Sequence, residues 1–251
     1  MLTVGAFFVV ALLIGGGVLA FALTNRGGDA DPAGPPRAVI VDQLSLTFPN
    51  PAFSEEATAM LKDAGYQVDY VPGEQVTVDY YRDLPSHGYD IVVLRIHAAR
   101  HENAVSGETL AELFTSEPFS EDKYSRELDQ GRIGAVAYYD DEHGDDPYFG
   151  IGPAFVVQSM RGSFDDTMVI MMGCNGLISD VMAEAFVRKG AGSFISWDNL
   201  VSADHTDAAV LNLLRHVLVD GLPAREAAAA TMDEVGPDPF YDSVLRAYPA
   251  E

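Results

Sequence analysis

Short apolar runs bounded by turn formers alternate along this chain with longer segments of helical period. Arg37–Asp42, Asp90–His97 and Met168–Met172 have centres too continuously apolar for a strand with one wet face, so each predicts a strand buried on both sides. Tyr66–Val71 alternates and is closed by Pro72-Gly73, and Ser193–Trp197 follows the breaker Gly190-Ala191-Gly192, which adds two further strands. Between them the spacing predicts helices over Ser54–Lys62, with acids in the first turn and Gly65 after its end, over Val76–Leu84, and over Asp180–Arg188, with Val181, Ala185 and Phe186 on one face. Asp204–Leu218 is strongly amphipathic, and helices over Arg225–Val235 and Phe240–Tyr248 close the chain. Strands alternating with helices imply right-handed crossovers and an α/β fold, a mostly parallel doubly wound sheet. Gly107–Phe114 reads as a helix. Gly131–Tyr139 and Tyr148–Val156 read as two antiparallel strands around the acidic loop Asp140–Asp146, a β-hairpin insertion.

The N-terminus changes this picture. Leu2–Asn25 carries no charge, and at 1.5 Å per residue the apolar run Val4–Leu23 is about 30 Å long, enough to cross a bilayer. Residues 1–25 are therefore expected to form one transmembrane helix. A signal peptide is the rival, because Ala20-Phe21-Ala22 has the small-x-small form of a cleavage site, although no positive n-region precedes it. Arg26 follows the apolar run, which by the positive-inside tendency favours a cytoplasmic domain, but Asp29 and Asp31 beside it leave the side open. Residues 26–36 form a Gly/Pro tether, and residues 37–251 make one α/β domain.

The formal charge is −23, from 38 acids against 15 bases. Such a surface repels nucleic acid and anionic lipid headgroups, so no nucleic-acid partner is expected, and it matches adaptation to high salt. One cysteine excludes an intramolecular disulfide.

That cysteine ends the apolar run Met168–Met172 in Gly173-Cys174-Asn175-Gly176, where a buried parallel strand meets a loop, the place at which open α/β sheets build their sites. His97 ends another such strand. A thiolate, an imidazole to protonate a leaving amine and backbone amides for an oxyanion together make acyl-transfer chemistry, and the helix after Cys174 is expected to favour the thiolate. Each residue also has an ordinary reading, a small core residue for Cys174 and a satisfied polar group for His97.

The order of these strands resembles that of the caspase-like (clan CD) cysteine peptidases, the group that includes caspases, metacaspases, legumain, clostripain and gingipains. There a buried strand ends in the catalytic His and a later apolar strand in the catalytic Cys. A helix follows, and then a strand with a Gly-Trp-type exit, as in Phe194-Ile195-Ser196-Trp197-Asp198. The resemblance spans Val39 to about Leu218. It implies a caspase-like fold, His97 as general acid/base, Cys174 as nucleophile, the amides of Cys174 and Ala98 near the oxyanion, and a protein or peptide substrate. Two positions depart from the family: Ala98 stands where Gly usually follows the His, and Met172 where members cutting after basic residues often carry an acid. Around the site, Asp198 beside Trp197 is a candidate for a cationic side chain of the substrate, and Arg95 or Arg100 for an acidic one. His101 is a second imidazole nearby.

The acidic loop offers oxygen ligands for calcium but lacks the spacing of an EF-hand, and His143 within it has no second His or Cys near in sequence for zinc. No other cofactor is expected. The resulting expectation is a membrane-anchored cysteine peptidase, with a catalytically inactive interaction module of the same fold as the alternative and an unrelated α/β hydrolase or amidotransferase as a third reading.

Overall fold

The computed structural model describes residues 34–102, 107–138 and 146–249. The expected membrane helix at residues 1–25, most of the tether, and all of the acidic loop except Asp146, His143 included, lie outside the described residues. Among the described residues no helix is long and apolar enough to cross a membrane.

The chain begins as β1 (Arg37–Asp42), α1 (Pro51–Asp63), β2 (Gln67–Pro72), α2 (Val78–Asp83) and β3 (Ile91–Arg95). It continues with β4 (Ala98–Glu102), β5 (Thr109–Pro118), α3 (Ser125–Asp129), β6 (Ile133–Val136), β7 (Tyr148–Ile151) and α4 (Pro153–Gln158). Then follow β8 (Thr167–Met171), α5 (Val181–Arg188), β9 (Ala191–Trp197), α6 (Ala203–Leu218), α7 (Ala224–Val235) and β10 (Leu245–Tyr248). The main sheet is six-stranded in the order β10-β9-β8-β3-β1-β2, parallel except for the edge pair β9 and β10. Its two faces divide the apolar residues by strand alternation. Val39, Val41, Val92, Leu94, Val169 and Met171 pack with α2, α4 and α5, whereas Ile40, Val93, Ile170 and Ile195 pack with α1, α6 and α7. The α/β reading with a mostly parallel sheet is thus the observed architecture.

Three expected elements differ. Gly107–Phe114 is not a helix: β5 runs through it because Ala111, Leu113 and Thr115 are buried at every second position, and the strand pairs with β4 on one side and β7 on the other. The insertion is therefore not a hairpin alone but a second, antiparallel sheet, β4-β5-β7-β6, whose Ala111, Leu113, Ile133, Phe149 and Ile151 join the core on the α5 face. Nor does a strand extend to Val156, since Gly152-Pro153 starts α4 with proline in its first turn. The stretch Phe240–Tyr248 is not a helix either. Asp238 Oδ1 accepts the backbone N–H groups of Phe240 and Tyr241, closing a turn that sends the chain back antiparallel to β9 as β10. α1 also starts earlier than Ser54, at Pro51, because Asn50 Oδ1 caps the Phe53 N–H at 3.2 Å.

Candidate active site

β3 and β8 are neighbours in parallel register, with Val93 opposite Ile170 and Leu94 opposite Met171. The register runs past both strand ends. The Met172 N–H donates to the Leu94 carbonyl at 2.8 Å, and Gly173 lies so close to Ile96 that a Cβ there would stand 2.4 Å from the Ile96 carbonyl oxygen. Only glycine permits that approach. The next residues along the two exits are His97 and Cys174, which puts them on one rim of the sheet, at its carboxyl edge.

Beside this rim opens a cleft of about 730 Å³ whose walls include His97, Asn175, Phe48, Phe114, Tyr138 and Arg100. His97 and Asn175 line it from the two sheet exits and Ala98, Ala99 and Arg100 from β4; Cys174 is not among its lining residues. Phe48 is 49 % exposed, an aromatic surface presented at the mouth.

His97 is half-buried and held from several directions. Its backbone N–H donates to Gln43 Oε1 at 3.0 Å, and its Nε2 lies 2.9 Å from the Thr47 hydroxyl. The rings of Phe48, Phe114 and Tyr138 surround the imidazole at centroid distances of 5.8, 5.7 and 5.0 Å. Gln43, itself fully buried, also donates from Nε2 to the Tyr138 hydroxyl at 2.7 Å, so one side chain ties the histidine backbone to the aromatic wall.

Cys174 is half-buried on the α6 side. Its Sγ accepts the Val201 N–H at 3.4 Å and its S–H donates to the Val201 carbonyl at 3.6 Å. Burial pushes the thiol above its ordinary range, and the Asp238 carboxylate adds to this. The Val201 N–H, the cysteine's own amide and the Arg100 guanidinium pull the other way without reversing it. The expected help from a following helix does not prevail. α5 starts only at Val181, and residues 174–177 form a turn, so its N-terminal charge lies beyond the short range over which a helix end acts. In the ligand-free protein this sulfur is a thiol at neutral pH.

Asn175 follows in the left-handed region at φ 61° and is 1 % exposed. Its N–H donates to the Asn199 carbonyl at 2.8 Å, while its side-chain Oδ1 is buried with no hydrogen-bond partner at the cleft wall. Such an atom costs free energy unless something satisfies it.

The other expected contacts fall elsewhere. Ala98 does line the cleft, as the first residue of β4. Arg95 does not face a substrate: it is 0 % exposed, and its guanidinium is taken up by Asp42, Asp207 and the Phe48 carbonyl, because the residue sits where β1, β3 and α6 converge. Trp197 is equally buried and donates its indole N–H to Thr206 Oγ1 at 2.9 Å, a core role. Asp198 accepts the Val244 N–H at 2.8 Å and pairs with Arg246 at 3.1 Å, clamping β10 to the end of β9 instead of facing the cleft. Arg100 and His101 lie on exposed positions of β4, and of the two only Arg100 lines the cleft. Gln43, Thr47, Phe48 and Tyr138 belong to the site without having been expected there. The first three lie in and beside the 3-10 turn Gln43–Leu46 after β1, which no motif marks. Among the described residues no group of His, Cys, Asp or Glu side chains is arranged to hold a metal ion.

No protein-family model and no curated protein matches this sequence.

Proposed function

We propose that the protein is a cysteine peptidase of caspase-like type, tethered by its N-terminal apolar segment and acting on peptide bonds through His97 and Cys174. The observation that supports this most directly is the contact of Gly173 with the Ile96 carbonyl, which brings the two exits side by side next to a cleft that His97 and Asn175 line and that is large enough for a peptide side chain. In this reading a bound peptide displaces Sγ from Val201. The thiol proton passes to the His97 imidazole as sulfur bonds to the substrate carbonyl carbon, and the oxyanion formed there meets backbone N–H groups at the rim. The imidazolium then gives its proton to the departing amine, leaving a thioester. A water molecule, deprotonated by the same imidazole, cleaves the thioester and restores the thiol.

Because the resting sulfur is a buried thiol, a small alkylating reagent at neutral pH is a poor test. A peptidyl chloromethyl ketone library, which fills the cleft while presenting its electrophile, is a suitable one. Cys174 is expected to be labelled at pH 7 with saturation in reagent, and His97→Ala to lose this labelling by two to four orders of magnitude. Equal, slow, non-saturating labelling of both proteins refutes the peptidase.

The bonds of Sγ to Val201 favour a second reading, an inactive interaction module of the same fold. It gives the second of these labelling outcomes, with every binding property retained in Cys174→Ala.

A further inference from the structure

Arg95 carries a fuller set of interactions than a lone buried cation needs. Nε and one Nη bind Asp207 at 2.7 and 2.8 Å as a fork, the other Nη binds Asp42 at 2.8 Å, and the first Nη also donates to the Phe48 carbonyl at 2.9 Å. Four bonds thus engage a group with five N–H donors. Asp207 is further held by Asn50, the cap of α1, through an Nδ2–H donating at 2.8 Å, and Asp42 accepts the Tyr70 hydroxyl at 2.9 Å.

Ion pairs of this kind are weak stabilisers, since replacing the whole triad by apolar side chains of the same volume removes the desolvation cost together with the attraction. What no apolar side chain replaces is the bond to the Phe48 carbonyl. That carbonyl closes the segment 43–48, which brings three groups to His97: Gln43 on its backbone N–H, Thr47 on Nε2, and the Phe48 ring packed against the imidazole.

We propose that Arg95 is the positioning residue of His97: forked on Asp207 of α6 and pinned to Asp42 of β1, it latches the segment after β1 so that the Thr47 hydroxyl meets Nε2 and fixes the imidazole's orientation. This rests on the peptidase reading for its catalytic meaning, but not for its geometry. A hydroxyl pairs with a ring nitrogen as donor or acceptor, so the bond holds the ring's orientation through either protonation state, and a general acid/base must present the right nitrogen. Arg95 acts through that segment and touches no substrate.

The test is the full chain labelled with ¹⁵N-histidine, read by long-range ¹H–¹⁵N correlation, with the His97 signals assigned by their loss in His97→Gln. Thr47→Val is expected to shift the His97 ring signals away from their wild-type positions, and Thr47→Ser to restore them. Arg95→Lys, which keeps a charge but lacks the fork, is expected to move the same signals in the same direction, and the double variant Arg95→Lys/Thr47→Val no further than Thr47→Val alone. If Arg95→Lys fails to fold, Asp207→Asn removes one arm of the fork and carries the same expectation. His97 signals that stay at wild-type positions in a folded Arg95→Lys or Asp207→Asn protein overturn the latch. So does a double variant whose shifts simply add. Absence of chloromethyl ketone labelling in the wild type overturns the peptidase and leaves these NMR outcomes standing, so the two failures are distinguishable.

Discussion

Replacing Gly173 by alanine tests the contact on which the site is built. The new Cβ would stand 2.4 Å from the Ile96 carbonyl oxygen and 3.3 Å from Met171 Cε. The methionine end can swing aside. The carbonyl belongs to the adjacent strand's backbone, so the two exits themselves must part. Overpacking of this kind costs about 1–3 kcal/mol, and loss of glycine's freedom in the unfolded chain returns about 0.4–1 kcal/mol, leaving a net loss of up to about 2.6 kcal/mol. For a domain of this size each kcal/mol lowers Tm by about 2–4 °C, so a drop of up to about 10 °C is expected in a thermal melt followed by circular dichroism. Gly134→Ala is the control: its Cβ would meet only the Glu112 carboxylate, at 3.7 Å, and the variant is expected to stay within about 0.5 kcal/mol of wild type. Melting of Gly173→Ala at or above the wild-type temperature refutes the side-by-side exits, and with them the pairing of His97 and Cys174.

Other expectations follow from the same geometry. Arg95→Met leaves Asp42 and Asp207 buried without their cation and is expected to cost about 3–5 kcal/mol in urea unfolding, whereas a loss under about 1 kcal/mol contradicts the triad. The Cys174 thiol is raised by burial, so its contribution to stability is complete below the unfolded thiol's pKa of about 8.5 and is lost as pH rises through the folded value; wild type is expected to weaken above about pH 8.5 more than Cys174→Ala does, and equal slopes contradict the buried thiol. At Asn175, φ 61° predicts that alanine costs about 1–2 kcal/mol and glycine less, and equal melts for the two contradict the left-handed turn.

How much of this was legible beforehand depended on the kind of signal. The five parallel strands announced themselves because a strand buried on both faces needs an uninterrupted apolar run, and β1, β3 and β8 have one. β5 did not, since Leu110, Ala111, Leu113 and Phe114 satisfy a helical spacing as well as an alternating one, and only pairing with β4 and β7 decides between them. β10 was hidden by apolar residues that fit a helix until Asp238 turns the chain. In the site, His97 and Cys174 were visible because strand ends are where chemistry collects. Their neighbours were not, because Gln43 and Thr47 reach the histidine from the turn after β1 and Tyr138 from the exit of β6, and no motif marks either segment. Arg95 itself was misread for a definite reason. An arginine two residues before a rim histidine shares its face, but the rim lies beyond the helix layer and Arg95 lies under it, against Asp207 of α6.

The resting state of the sulfur bears on both functional readings. A thiolate already formed would make His97 an electrostatic partner with little left to do. In the peptidase reading, a thiol hydrogen-bonded to Val201 requires a base at the moment of attack, and His97, held by Gln43 and Thr47, is the proposed one. The same arrangement protects the sulfur while the cleft is empty, because burial suppresses the form that oxidants and electrophiles attack. Asn175, one residue on, has a side-chain oxygen with no partner at the cleft wall. In the peptidase reading, a bound peptide that reorders the turn of residues 174–177 would both free Sγ from Val201 and open the buried Asn175 oxygen to a donor, so a ligand that bound in the cleft while leaving the reactivity of Cys174 unchanged would favour the module over the peptidase.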